Sequence, residues 1–427
     1  MNTAAETKPR IQSIDLLRGL VMVIMALDHC RDFLHFDSAN GSDPLDFKTT
    51  TTGLFLTRWI THYCAPIFLF LAGTSIYFVS KRRSLKAVSG FLITRGLWLI
   101  VLEVTIIYYG WVGNLNFSFV GLFVIWALGC GMMFMAGLVH LPKNILLVLG
   151  ILLVFGHNLL DRFDGQVTET AGGFLWSVFH VPQVFPIDSS HNLFIGYPLL
   201  PWIGIMILGY LFGQLYNADI TYIKRRKTLT QLGLGSIGLF ILLRSGNFYG
   251  DAHHWQTQST GIFSLLSFVD TTKYPPSLLY ALMTIGPAFL FLAFAEMSTG
   301  RITQQPKMKS RDIAYGNALK NRNKITYETW KNKFIDAITV FGRVPFFYYI
   351  LHIYLIHAVA LVVFIVSGYS LSNLDPTAIF GGFPKGFGVP LWAVYLLWAA
   401  VVVALYLPCR WYNKYKSSKG HWWLSYV

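Results

Sequence analysis

Apolar residues run along this chain in long blocks separated by short polar stretches. A helix needs about 20 mainly apolar residues to cross a bilayer. On that measure the pattern predicts ten spans, near 11–29, 55–79, 89–110, 115–139, 144–160, 194–214, 229–245, 277–296, 335–364 and 389–408. The expected fold class is all-α, a polytopic transmembrane helical bundle. Residues 1–427 read as one membrane domain, because no soluble stretch is long enough to fold alone. A basic cytoplasmic loop, 297–334, lies within it. Span five is the weakest, being short and ending in His157, Asn158 and Asp161. Pro66, Pro198, Pro201, Pro287 and Pro345 predict kinks whose freed carbonyls neighbours must satisfy. No internal repeat is visible, which argues against a repeat-built secondary transporter.

Charge orients the bundle. Only 13% of the residues are charged, about half the ~25% of soluble proteins. The formal net charge of +14 sits in KRRSLK (81–86), IKRRK (223–227), the 301–333 stretch and the tail from Arg410 to Lys419. The loops between these clusters are rich in Asp. With Lys8 and Arg10 inside, every basic cluster and both termini fall in the cytoplasm, as the positive-inside rule expects. The outer loops are then 30–54, 111–114, 161–193, 246–276 and 365–388. Basic residues confined to short loops make nucleic-acid binding an unsuitable reading. The first apolar run contains Arg18 and ends in Asp28-His29, so it does not read as a cleavable signal. Four cysteines form no CxxC or Cys/His metal spacing. Cys30 and Cys64 lie at the same level, where pairing competes with the reading of both as small apolar filler. His253-His254 beside Asp251 has no diagnostic metal spacing, and no metal is expected.

Span one carries the chemistry that a bilayer makes expensive. Arg18 and His29 are eleven residues apart, roughly three turns and about 16 Å along one helix face. Asp15 is placed to pair with Arg18 at i,i+3. Asp32 stands at the same spacing from His29 and is its expected partner, whereas Asp28 points about 100° away. A structural ion pair with an interfacial histidine explains the same residues without catalysis. Ten of the twelve histidines, among them His35 and His62, fall in the outer half or outer loops. Longer polar loops account for this, and so does an outward polar vestibule. In span nine, His352 and His357 point about 140° apart, so one site takes only one of them squarely. His357 shares a face with Arg343 and is expected to line the site, with His352 packed or hydrogen-bonded in the core. Glu103 needs a partner, expected from another helix. Trp176, Phe179, His180, Phe185, His191, Tyr249 and Trp255 suit stacking on a carbohydrate and equally suit an interfacial aromatic belt.

SIDLLRG (13–19), with ten residues between Arg18 and His29, resembles the opening helix of the acyltransferase-3 family. The longer stretch from Arg10 to Tyr77 resembles the bacterial relatives of lysosomal heparan-α-glucosaminide N-acetyltransferase. The segments that carry this likeness are RIQSIDLLRGLVMVIMALDH (10–29), TRWITHYCAPIFLFLAGTS (57–75) and FGRVPFFYYILHIYLIH (341–357). The resemblance implies a multi-pass acyltransferase of the bacterial inner membrane. It implies acetyl-CoA, or another acyl-CoA, bound from the cytoplasm. The acyl group would pass to an extracytoplasmic glycan or amino sugar, at a hydroxyl or an amine. It is compatible with a homodimer surrounded by membrane lipids. Arg18, Arg95, Arg343 and His357 would line the coenzyme side. His29 would act with Asp32, His35 or His62, as general base or through an acyl-histidine. One departure stands out. The lysosomal enzyme carries asparagine where this chain has His29, and its active-site histidine lies in the following loop, where this chain offers only His35. A transporter or flippase using the same polar path, or a membrane scaffold, are the competing readings.

Overall fold

The computed structural model describes residues 11–39, 41–303, 333–378, 380–419, 421 and 424. It is mostly helical. Its helices include α1 (Gln12–Leu34), α2 (Thr52–Thr61), α3 (Cys64–Ser80), α4 (Leu85–Leu102), α5 (Tyr108–Val112), α6 (Val124–Leu138), α7 (Lys143–Phe155), α8 (Leu199–Phe212), α9 (Tyr222–Ser245), α10 (Gly261–Val269), α11 (Leu278–Thr303), α12 (Pro345–Val366) and α13 (Leu391–Ser418). A further helical segment covers 333–343.

Seven helical runs among the described residues are long and apolar enough to cross a membrane, and eight if a pair bent by 42° after Phe155 is one span. The expectation of ten is therefore met only in part. The α1 helix is long enough but carries Asp15, Arg18, Asp28, Arg31 and Asp32. The α6 helix is apolar but only 15 residues long. Its predicted span began at 115, yet Phe119–Leu122 forms a strand instead.

Other boundaries follow local chemistry. Thr51 caps α2 by accepting from the Leu54 N–H, and the helix breaks at His62 and Tyr63 before α3. Pro66 falls in the first turn of α3, where a missing N–H removes no intrahelical bond. Predicted span nine is divided at Val344, whose non-helical backbone (φ −132°, ψ 50°) precedes Pro345 at the start of α12. Between α4 and α5 the chain takes one π-helical turn, Glu103–Ile107.

The helices α3 and α8 form the dry centre, with Leu69, Trp202, Ile205 and Met206 fully buried. Glycines permit the closest crossings, as in membrane bundles generally. A Cβ on Gly19 of α1 would lie 2.0 Å from the Ile338 carbonyl oxygen, and one on Gly342 would lie 1.8 Å from that of Asp15. This contact locks the basic end of α1 onto 333–343. At the opposite end the loops build a small mixed sheet, a departure from a purely helical fold. Its strands are β1 (Phe119–Leu122), β2 (Gln183–Pro186) and β3 (Asn192–Ile195), ordered β1-β3-β2. The β1 strand runs parallel to β3, and β2 antiparallel to it.

Candidate active site

At the first end of α1, Arg18 behaves as its spacing predicts. Its Nη1 donates to Asp15 Oδ1 at 3.3 Å and to the Gly342 carbonyl at 3.2 Å, and its Nη2 donates to Ser75 Oγ at 3.1 Å. The Arg343 Nε lies 3.7 Å from Asp15 Oδ2. Two guanidinium groups thus converge on one carboxylate where α1, α3 and 333–343 meet. Arg95 instead stacks over Phe91 of its own helix, 5.9 Å from the ring centroid.

Three turns along, His29 meets a partner that spacing along the chain did not indicate. Its Nδ1 lies 2.7 Å from His352 Nε2, and the rings stack at 4.8 Å. The second nitrogen of His352 lies 3.0 Å from the Tyr348 carbonyl oxygen. A carbonyl only accepts, so His352 Nδ1 carries the proton and Nε2 presents its lone pair. His29 Nδ1 must then donate, which leaves His29 Nε2 as the basic lone pair. One backbone carbonyl therefore fixes the tautomers of two imidazoles in series. Trp111 stands edge-on to His29 at 4.6 Å and closes one side of the ring.

Asp32 does not serve His29. Its Oδ1 accepts from Arg31 Nη2 at 2.6 Å. The same Nη2 reaches Asp28 Oδ1 at 2.7 Å. Asp28 also accepts from Arg58 at 2.9 Å on both oxygens and from Thr61 Oγ1 at 2.8 Å. Arg31 and Asp28 are buried, so this is a compensated ionic network that ties α1 to α2. Chain neighbours supplied strong cationic donors to Asp32, and a neutral imidazole is a weaker competitor.

His62 closes α2 beside this network. It is buried, its ring stands 5.5 Å from that of Tyr280, and its carbonyl accepts from the Tyr280 hydroxyl at 2.7 Å. Neither ring nitrogen has a hydrogen-bond partner among the described residues. Lys273, in the loop before α11, exerts a positive field on Asp28, His29 and His62. Its ammonium lies 5.0 Å over the Tyr274 ring. Burial acts to raise the Tyr274 phenol, but Lys273 and Arg58 outweigh it and hold the group below its ordinary value. Arg58, Lys273, Tyr274 and Tyr280 did not emerge from the sequence reading. Arg58 lies within TRWITHY, one turn before His62, which was the available signal.

The remaining candidates separate from this centre. His357 Nδ1 pairs with the Gly110 carbonyl at 2.8 Å, so His352 and not His357 faces His29. The helical alignment of His357 with Arg343 fails because the helix breaks at Val344. His35 ends α1 in a parallel bridge to Val389. Glu103 finds a backbone partner: its Oε1 accepts the Phe123 N–H at 3.1 Å, just before α6. It lines a cavity with Tyr108, Trp111 and Phe123 that has room for about 20 Å³ of water-molecule centres. That is enough for a water. Asp251 is occupied by Thr272 and Ser277 and by the backbone N–H of His253. Cys30 and Cys64 are buried free thiols.

No individual curated protein matches the chain. A family description does: residues 10–243 match heparan-alpha-glucosaminide N-acetyltransferase, catalytic. That range contains α1, the Asp28 network and His62, and takes in more than half of the 427 residues. This chain belongs to the heparan-alpha-glucosaminide N-acetyltransferase catalytic family, a family of membrane acetyltransferases that use acetyl-CoA.

Proposed function

We propose that this protein transfers an acetyl group from cytoplasmic acetyl-CoA to an amine or hydroxyl of an extracytoplasmic sugar. One observation carries the reading: α1 holds Arg18 beside Arg343 at one end and, three turns away, an imidazole whose Nε2 is left basic by the His352 relay. The Asp-rich outer loops and basic inner loops support the direction, with Arg18 inside and His29 outside.

Acetyl-CoA supplies an activated thioester. Arg18 and Arg343 suit its phosphates, since guanidinium groups bind phosphate oxygens in charge-assisted pairs. His29 Nε2 takes the proton from the acceptor as its nitrogen or oxygen bonds to the acetyl carbon. The carbon–sulfur bond then breaks, and the thiolate leaves to be protonated. General-base help of this kind contributes about 10²- to 10⁴-fold. The Lys273 ammonium suits the negative charge that develops on the carbonyl oxygen. His62 lies within the same field and is proposed as an acceptor-side group. His35, Arg95 and His357 are not assigned direct roles.

The test is membranes containing the protein, incubated with labelled acetyl-CoA and a panel of amino sugars and neutral sugars. Acceptor-dependent release of free CoA with label in the sugar supports the assignment. Accumulation of unmodified sugar across the membrane, with no CoA released, would replace it with a transporter.

A further inference from the structure

A second polar cluster lies in the 157–180 region, away from His29. His180 is fully buried at 0% exposure, and neither of its ring nitrogens makes a hydrogen bond among the described residues. Its Nε2 is nevertheless 3.2 Å from Asp161 Oδ1 and 3.4 Å from Asp164 Oδ1. Asp161 Oδ1 is likewise buried without a hydrogen-bond donor. Three ligand atoms from these residues lie within 4.8 Å of one another.

We infer that Asp161, Asp164 and His180 form a zinc site. Zinc bonds to nitrogen and oxygen at roughly 2.0–2.2 Å, so tetrahedral neighbours stand about 3.3–3.5 Å apart. The His180–Asp164 separation of 3.4 Å falls at that spacing, and the His180–Asp161 separation of 3.2 Å is 0.1 Å shorter. The imidazole favours zinc over calcium and magnesium, which prefer oxygen ligands. Two carboxylates and one imidazole make a site neutral for a divalent ion, leaving one position for water. Asp164 Oδ1 also accepts from Trp176 Nε1 at 2.9 Å, a second contact that orients the ligand. The ligands are three and sixteen residues apart along the chain, so no compact metal motif announces them.

The site has a mechanical consequence. The turn carrying Asp161, His157–Phe163, includes Asn158, whose Oδ1 accepts the Leu278 N–H at 3.0 Å. Leu278 starts α11, two residues before Tyr280 and its contact with His62. Zinc would therefore pin the 157–180 loop against the helix that borders the proposed acceptor site.

The full chain, purified in detergent, is stripped with a chelator and titrated with Zn²⁺, Ca²⁺ or Mg²⁺ while zinc content and melting temperature are measured. About one zinc per chain and a rise of several degrees, with no response to Ca²⁺ or Mg²⁺, is expected. His180→Gln and Asp161→Asn should each lose the bound zinc and the thermal response. The wild-type titration stands even where a variant fails to fold. Absence of stoichiometric zinc in the wild type, a larger shift with Ca²⁺, or unchanged zinc in a folded His180→Gln protein would overturn the site.

Discussion

Replacing His352 with Phe tests the imidazole relay. The ring volume stays nearly the same, but the Nε2 lone pair that receives His29 Nδ1–H is gone. His352 is fully buried, so water does not readily substitute for it. A buried donor left without its acceptor costs about 1–3 kcal/mol. If the enzyme must recover that orientation to react, the rate falls by roughly 5- to 150-fold. The KM for acetyl-CoA should hold, because Arg18 is about 16 Å away along α1. His352→Gln offers a side-chain oxygen in place of the lost acceptor and should recover part of kcat. The assay is steady-state acetyl transfer at saturating acceptor, with acetyl-CoA varied. A full kcat in His352→Phe, or equal losses in the Phe and Gln variants, would refute the relay.

Three further outcomes follow from the same contacts. Arg58→Met strips the buried Asp28 of a half-buried cation whose Nη1 reaches both carboxylate oxygens, and should cost roughly 1–3 kcal/mol, seen as a lower melting temperature. Adding Asp28→Asn should cost less than the sum of the two single changes. Arg18→Ala should raise the KM for acetyl-CoA by roughly 10- to 100-fold, the scale of a lost charge-assisted bond, and an unchanged KM would remove Arg18 from the coenzyme site. Burial, and then repulsion from Asp251, raise the Asp270 carboxyl from 3.8 to about 6. The folded protein therefore holds this proton more tightly than the unfolded chain. The associated stability is complete below pH 4 and is lost as pH rises through 6, by roughly 2–3 kcal/mol. Melting curves from pH 4.5 to 8 should show that decline, and Asp270→Asn should flatten it.

The helical class, seven or eight of the apolar spans and the Asp15–Arg18 pair were legible in the sequence because each depends on local spacing. The partner of His29 was not. Asp32 has the right helical offset, but Arg31 engages it, and the actual partner lies 323 residues away. Helical angles separated His352 from His357 correctly, yet the choice between them leaned on Arg343 across a break at Val344. The Cys/His search overlooked Asp161, Asp164 and His180 because two of the three are carboxylates joined by a folded loop. Glu103 found its partner in a backbone N–H at the start of α6, a contact that side-chain patterns do not encode.

The central claim is that His29 Nε2 is the base for acetyl transfer. Its most direct test is the rate of labelled acetyl transfer by His29→Ala, in protein whose melting temperature and acetyl-CoA binding match the wild type. The expected result is a loss of about 10²- to 10⁴-fold with acetyl-CoA still bound. Transfer at the wild-type rate would contradict it.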